Sequence, residues 1–231
     1  MSTVAMDGEQ LSEGYRSSRL RMMALATEID EAAAELTVPA CPEWRVRDLF
    51  AHVAGIASDL AAGRAPSGDS QPWVDRQIDE RRGRSLDEVV GEWSEVGPTF
   101  EDMIAASPRA FWGLTYDTVV HEHDLRNAIR RPGARDTDAV RLAARLGLKL
   151  VKHDLGRHGL GAVRLIIDGE EAVVGEGEPG LTLTASSFEC LRLLGSRRTL
   201  AEMRAAAFVG DLDGFLPGIV HMDLPTRSLR E

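Results

Sequence analysis

The chain has little cysteine and no long apolar run. Its 231 residues include only two cysteines, Cys41 and Cys190, which are too few for a disulfide framework. Because no Cys-x-x-Cys pair is present, a zinc ribbon and a thioredoxin-like site are excluded, and each cysteine is predicted to be a small buried hydrophobic residue. No apolar run is long enough to span a bilayer, and the first ten residues lack the basic and apolar regions of a signal peptide. We therefore expect a cytoplasmic protein.

The chain also has fewer basic than acidic residues. The chain has 27 lysines and arginines against 37 acidic residues, for a net charge of -10. This balance argues against general nucleic-acid binding, which needs a basic surface. It leaves an anionic small molecule open as a ligand, because arginines can cluster locally. No Gly-x-Ser-x-Gly motif surrounds any serine, so a nucleophilic triad is unsupported.

The pattern of apolar residues predicts an α+β protein with two parts. Residues up to about 157 have helical spacing, starting with a long alanine-rich segment over 11–36. A capping box at 85–88 predicts a further helix, with Pro98 as a kink or break. After Gly156, short apolar stretches separated by glycines and acidic residues predict strands, followed by two short helices. The predicted domains are a helical domain over 10–157 and a small α+β domain over 158–231.

The segment from Asp117 to Asp124 carries the clearest chemical signal. A helix turns by about 100° per residue. Viewed down its axis, His121 therefore lies about 40° to one side of Asp117, and Asp124 lies about 20° to the other side of Asp117. Glu122 and His123 point away from this face and are read as flanking residues. Asp124 is expected to hold a ring N–H of His121 or to anchor the following turn.

A second predicted helix offers His52. Two histidines and a carboxylate facing one cavity would form a three-ligand metal site with an open position, suited to Zn²⁺, Fe²⁺, Ni²⁺ or Mn²⁺. A single histidine such as His52 is more often a core residue, and Asp117 with His121 also fits a simple helix-surface hydrogen bond. On the residues alone, these alternatives stay open.

An arginine-rich segment near the C-terminus is a second candidate site. Arg197 and Arg198, with Arg192 and Arg204 nearby, form either a solvated face or a group that binds a carboxylate ligand. The remaining histidines have no partners in the pattern and are interpreted as surface or packing residues.

Three stretches of the chain resemble the mycothiol-dependent maleylpyruvate isomerase family of the DinB-like metalloenzyme superfamily. Residues 38–55, which contain His52, resemble its first motif, and residues 117–133 resemble its second. Residues 181–198, continuing to Asp211, are similar to its small C-terminal domain. The resemblance keeps the family's order and covers nearly the whole chain.

The resemblance implies an N-terminal four-helix bundle with a divalent metal, usually zinc, held by His52, Asp117 and His121. The family's acidic ligand is commonly glutamate, so Asp117 is one methylene shorter than expected and must approach more closely or bind differently. The resemblance also implies the thiol cofactor mycothiol, and with it an actinobacterial source. Asp124 would orient His121.

The implied function is a metal-dependent, mycothiol-using isomerase or S-transferase, in which an activated thiolate attacks a small electrophile. In the isomerase, addition of the thiol to a cis double bond allows rotation to the trans product. Arg197 and Arg198 are expected to bind a carboxylate of substrate or cofactor. Two alternatives stay open: a metal-dependent hydrolase on the same bundle, distinguished by its independence of thiol, and a non-catalytic binding protein.

Overall fold

A computed structural model describes residues 7–231 of the chain. The described residues form two compact units, an N-terminal unit that ends at Gly133 and a C-terminal unit over Ala134–Glu231. Residues 1–6, on which the expectation of no signal peptide partly rests, lie outside the described residues. Within the described part, no helix combines the length and apolar character that crossing a bilayer requires.

The N-terminal unit is built on a four-helix bundle, as expected. Helix α1 packs on α5 and α6, and α3 packs on α5, with an interior that includes fully buried Tyr15, Phe50, Trp93 and Phe100. The indole N–H of Trp93 donates to the hydroxyl of Tyr15 at 2.8 Å, which satisfies the polar atoms of both buried rings. The four long helices are α1 (Gly8–Ala26), α3 (Val46–Ala61), α5 (Leu86–Ala106) and α6 (Pro108–Ala128).

Local signals explain where the bundle helices begin. The hydroxyl of Ser85 accepts from the backbone N–H of Glu88, whose carboxylate accepts from the backbone N–H of Ser85. This is the capping box predicted for α5. Helix α6 begins at Pro108, which suits a first helical position because its missing N–H would be unsatisfied there.

The prediction of one helix over 11–36 was wrong. Helix α1 ends at Ala26, and Asp30 starts a new short helix by accepting from the backbone N–H of Ala33. The chain then forms a two-stranded hairpin, which the sequence interpretation missed. The short elements of this unit are α2 (Glu31–Ala34), β1 (Thr37–Val38), β2 (Cys41–Arg45) and α4 (Gln71–Asp79).

Pro98 does not end helix α5, which is assigned as one helix from Leu86 to Ala106. A proline inside a helix removes one backbone hydrogen bond and crowds the preceding turn. Here the packing of α5 against both α1 and α3 outweighs that cost, since apolar residues before and after Pro98, such as Trp93 and Phe100, are fully buried.

The C-terminal unit combines a mixed sheet with helices. The sheet order is β4-β3-β5-β6, in which β3 and β5 are parallel and the other pairs are antiparallel. The strands predicted after Gly156 are present as β3, β4 and β5, and the sequence interpretation missed β6 and α10. The elements are α7 (Asp138–His158), β3 (Ala162–Ile167), β4 (Glu170–Val174), β5 (Pro179–Ala185), α8 (Ser187–Leu194), α9 (Leu200–Ala205), β6 (Phe208–Gly210) and α10 (Leu212–Ile219).

Helix α7 belongs to the compact C-terminal unit. It packs on α8 and α10, and its Val151 and Leu155 are fully buried in one core cluster with Val163 and Leu165 of β3. The boundary predicted at 157–158 coincides with the end of α7 and therefore with the change from helix to strand. That this position also separates two domains stays a prediction.

Candidate metal centre

Three side chains from helices α3 and α6 of the N-terminal unit converge. Nε2 of His52 lies 3.6 Å from Oδ2 of Asp117, and Nε2 of His121 lies 3.4 Å from Oδ1 of the same carboxylate. One potential ligand atom of each residue lies within 4.8 Å of the other two. The sequence pattern named these same three residues, and the fold brings them together.

The distances suit a single divalent ion. Two ligand atoms bound to zinc at about 2.0–2.1 Å lie about 3.4 Å apart when the coordination is tetrahedral. The separations of 3.6 Å between His52 and Oδ2 of Asp117, and of 3.4 Å between His121 and Oδ1, are close to this value. Oδ2 of Asp117 is buried and has no hydrogen-bond partner among the described residues, so it is available as a ligand. The shorter side chain of aspartate therefore still reaches both histidines, and the donor set fits a metal ion.

Burial and charge together control the protonation of the cluster. Burial opposes ionisation of Asp117, but the adjacent His121 and His52 outweigh it and hold the pKa of that carboxyl well below its ordinary value. Burial also opposes charge on His121, yet Asp117 and Asp124 outweigh it and raise the pKa of His121 to about 9. These shifts favour an ionised Asp117 beside a protonated His121 at neutral pH.

Each histidine has a partner on its other ring nitrogen. Nδ1 of His121 lies 3.0 Å from Oδ2 of Asp124, which is fully buried. Nδ1 of His52 lies 3.1 Å from the amide oxygen of Gln77, also fully buried. Partners of this kind set the orientation of metal-binding imidazoles. Asp124 was expected from helix periodicity, whereas no sequence signal pointed to Gln77.

The β1–β2 hairpin adds two residues that the sequence interpretation did not place here. The ring of Trp44 lies over both histidines, with centroid distances of 4.8 Å to His52 and 5.7 Å to His121. Cys41 forms a second group of possible ligands with His121 and Asp124, again within 4.8 Å of one another. Cys41 is partly exposed, so its interpretation as a buried hydrophobic residue was wrong, whereas Cys190 is fully buried as predicted.

Glu122 and His123, interpreted from the sequence as flanking residues, are both buried. The carboxylate of Glu122 accepts from Ser18 at 2.7 Å and from the guanidinium of Arg21 at 2.7 and 2.8 Å, and Arg126 donates to it at 3.0 Å. Glu122 therefore joins α6 to α1.

The two candidate arginines, Arg197 and Arg198, lie in the C-terminal unit. Each forms hydrogen bonds with other residues of that unit. Arg198 donates to both carboxylate oxygens of Glu189 at 2.8 Å and to Glu231 at 2.6 Å. Arg197 is buried and donates to the carbonyl of Gly195 at 2.7 Å. Arg198 thus already recognises carboxylates, although they come from its own chain.

A comparison with protein-family models finds a match for the N-terminal unit. A family model described as mycothiol maleylpyruvate isomerase N-terminal domain matches residues 15–137, which is more than half of the chain and includes His52, Asp117 and His121. Neither the curated proteins nor the solved structures contain a match. The four-helix bundle fits the DinB-like superfamily named from the sequence. The chain therefore belongs to the mycothiol maleylpyruvate isomerase family, through its N-terminal domain.

Proposed function

We propose that this protein is a metal-dependent enzyme that uses mycothiol to isomerise a small electrophilic substrate or to transfer the thiol to it. The observation that carries the proposal is the convergence of His52, Asp117 and His121, with ligand atoms within 4.8 Å of one another. Membership of the mycothiol maleylpyruvate isomerase family supports the choice of thiol and of substrate class.

The proposed ligands are suited to a divalent cation such as zinc. Such a cation, when bound, would lower the pKa of a thiol so that it reacts as thiolate at neutral pH. Asp124 accepts from Nδ1 of His121, which directs the other ring nitrogen at Asp117. Asp117 contributes a negative charge, and its side chain is 34% exposed, so it is the member of the cluster that solvent reaches most easily.

We also propose that Arg197 and Arg198 bind a carboxylate of the substrate or of the thiol. Because Arg198 contacts Glu189 and Glu231, an incoming carboxylate would have to replace one of them. Arg198→Lys should then raise KM for a carboxylate substrate while the metal content stays that of wild type. An unchanged KM would contradict this role.

Metal content tests the central proposal. Elemental mass spectrometry should find about one divalent ion per wild-type chain, little in His52→Ala, and a wild-type amount in His158→Ala. His158 is an exposed histidine of the C-terminal unit and serves as the matched control. Equal metal in wild type and His52→Ala would contradict the ligand assignment.

The thiol requirement separates the candidate reactions. Turnover of maleylpyruvate or another activated electrophile should need added mycothiol. Turnover without any thiol would instead identify a metal-dependent hydrolase. A wild-type protein that takes up no metal even after reconstitution would be a non-catalytic binding protein.

The cytoplasmic location expected from the sequence stays a prediction, to be tested by fractionation of the producing cells.

A further inference from the structure

Gln77 is a buried amide in contact with one of the proposed ligands. It lies on helix α4, its side chain is fully buried, and its Oε1 is 3.1 Å from Nδ1 of His52. Its Nε2 is also buried and has no hydrogen-bond partner among the described residues. An unsatisfied buried donor destabilises the folded protein. Packing alone therefore gives no reason for an amide here, and the contact with His52 does.

Gly55 allows α4 to come this close to α3. A Cβ atom placed on Gly55 would lie 2.6 Å from Cβ and 2.7 Å from Cγ of Gln77, which is closer than real Cβ atoms come to other heavy atoms. Gly55 is three residues after His52, so the two lie on neighbouring turns of one helix face. A larger residue at position 55 would therefore force Gln77, or the part of α4 that carries it, to shift.

The contact selects one form of the imidazole. A neutral histidine carries its hydrogen on one ring nitrogen and a lone pair on the other. The amide oxygen of Gln77 can only accept, so it favours the hydrogen on Nδ1 of His52. The lone pair is then on Nε2, the atom that lies 3.6 Å from Asp117. A lone pair at this position is what a metal ion requires of a histidine ligand.

We infer that Gln77 is a positioning residue that holds His52 in the tautomer able to bind the metal. Gln77 does for His52 what Asp124 does for His121, with a neutral amide instead of a carboxylate. The inference rests on the metal site of the proposed function and is independent of the thiol reaction.

The tautomer of His52 can be measured without any metal. Imidazole ¹⁵N chemical shifts of the metal-free protein, assigned with His52→Ala, should show the hydrogen on Nδ1 in wild type at a pH where His52 is neutral. In Gln77→Leu, which keeps the size of the side chain but removes the acceptor, His52 should change to the tautomer mixture of an unconstrained histidine. A hydrogen on Nε2 in wild type, or identical shifts in both proteins, would overturn the inference.

Zinc affinity gives the second readout, measured by competition with a chromophoric chelator. Gln77→Leu should bind zinc roughly 10–100-fold more weakly, whereas Gln77→Glu, which still accepts, should keep most of the affinity. Gln71→Leu changes an exposed glutamine on the same helix and should bind as wild type. Wild-type affinity in Gln77→Leu, or an equal loss in Gln77→Glu, would reject the positioning role.

Gly55→Ala tests the same contact with Gln77 left in place. Its added methyl group should displace Gln77 and weaken zinc binding, with helix content checked by circular dichroism. Wild-type affinity in a folded Gly55→Ala protein would count against the inference. Zinc binding without thiol-dependent turnover would overturn only the proposed reaction. If wild type bound no zinc, the proposed function would fail, and the tautomer measurement would still decide the role of Gln77.

Discussion

Oδ2 of Asp124 lies 3.0 Å from Nδ1 of His121, one helical turn away, and Asp124 is fully buried. Because a carboxylate can only accept, this contact keeps a hydrogen on Nδ1 of the ring. Together with Asp117 on the other side, it overcomes the effect of burial and raises the pKa of His121 to about 9. A metal that binds Nε2 at neutral pH must therefore displace a proton.

Zinc affinity should increase with pH up to about 9. Below that pKa, protonated His121 competes with the metal, so we expect roughly a tenfold gain in affinity per pH unit from this residue. In Asp124→Asn the pKa of His121 should fall, and the dependence between pH 7 and 8 should become shallower. Chelator competition at several pH values measures both slopes. Equal slopes in wild type and variant would contradict this account of the proton.

His121→Ala should lose most bound metal while the protein stays folded. The substitution removes one of three proposed ligands, and bulkier neighbours such as Trp44 remain to cover the space. Elemental analysis and circular dichroism test the two parts of the prediction. His153→Ala, at a largely exposed histidine of the C-terminal unit, is the control. Full metal retention in His121→Ala would reject it as a ligand.

Glu122→Gln should destabilise the protein by about 1.5–3 kcal/mol, because it removes the charge that strengthens the hydrogen bonds from the partly exposed Arg21 and Arg126 to this buried position. Urea unfolding measures the loss. Glu28→Gln, which breaks an exposed pair with Arg131, should cost at most about 1 kcal/mol. If the two substitutions cost the same, Glu122 does not join α6 to α1 as described.

Lowering the pH should remove the stabilisation that ionised Glu122 provides. Burial opposes ionisation of Glu122, but Arg21 and Ser18 outweigh it and hold its pKa below the ordinary value of 4.5. The contribution is therefore complete above pH 4.5 and is lost as the pH falls through the lower folded-state pKa. The difference in unfolding free energy between wild type and Glu122→Gln should shrink over this range. A constant difference down to pH 3 would contradict the assignment.

The two cysteines should differ in reactivity. Burial raises the pKa of the Cys190 thiol to about 12, so it is both inaccessible and protonated, whereas Cys41 is partly exposed. A chromogenic disulfide reagent should modify one thiol per native chain and none in Cys41→Ser. Two modified thiols in the native protein would show that the core around Cys190 opens readily.

The parts of the site that lie within one helix were predictable from the sequence. The spacing of Asp117, His121 and Asp124 determines their common face, because helix geometry is the same wherever the helix packs. His52 required family motifs, since nothing in its own helix distinguishes a ligand from a core histidine. Gln77 and Trp44 could not be predicted as part of the site, because they contact it only through the packing of α4 and of the β1–β2 hairpin.

The predicted fold differs from the structure at the end of the first helix. The apolar residues over 11–36 keep helical spacing, but α1 ends at Ala26 and the N-cap at Asp30 then starts a separate short helix. Pro98 was predicted to kink or break α5, and it does not break the helix, because tertiary packing on both sides of α5 keeps it continuous. Propensity describes the isolated segment, and packing decides the outcome.

The position of α7 determines where the chain can be divided. A fragment that starts at residue 134 keeps Val151 and Leu155 in contact with the strands, whereas one that starts at residue 158 exposes the apolar surface of β3 that those side chains cover. The longer fragment should therefore be recovered as a stable polypeptide and the shorter one should aggregate. Expression studies of the C-terminal unit should accordingly include α7, although the sequence pattern groups that helix with the N-terminal helices.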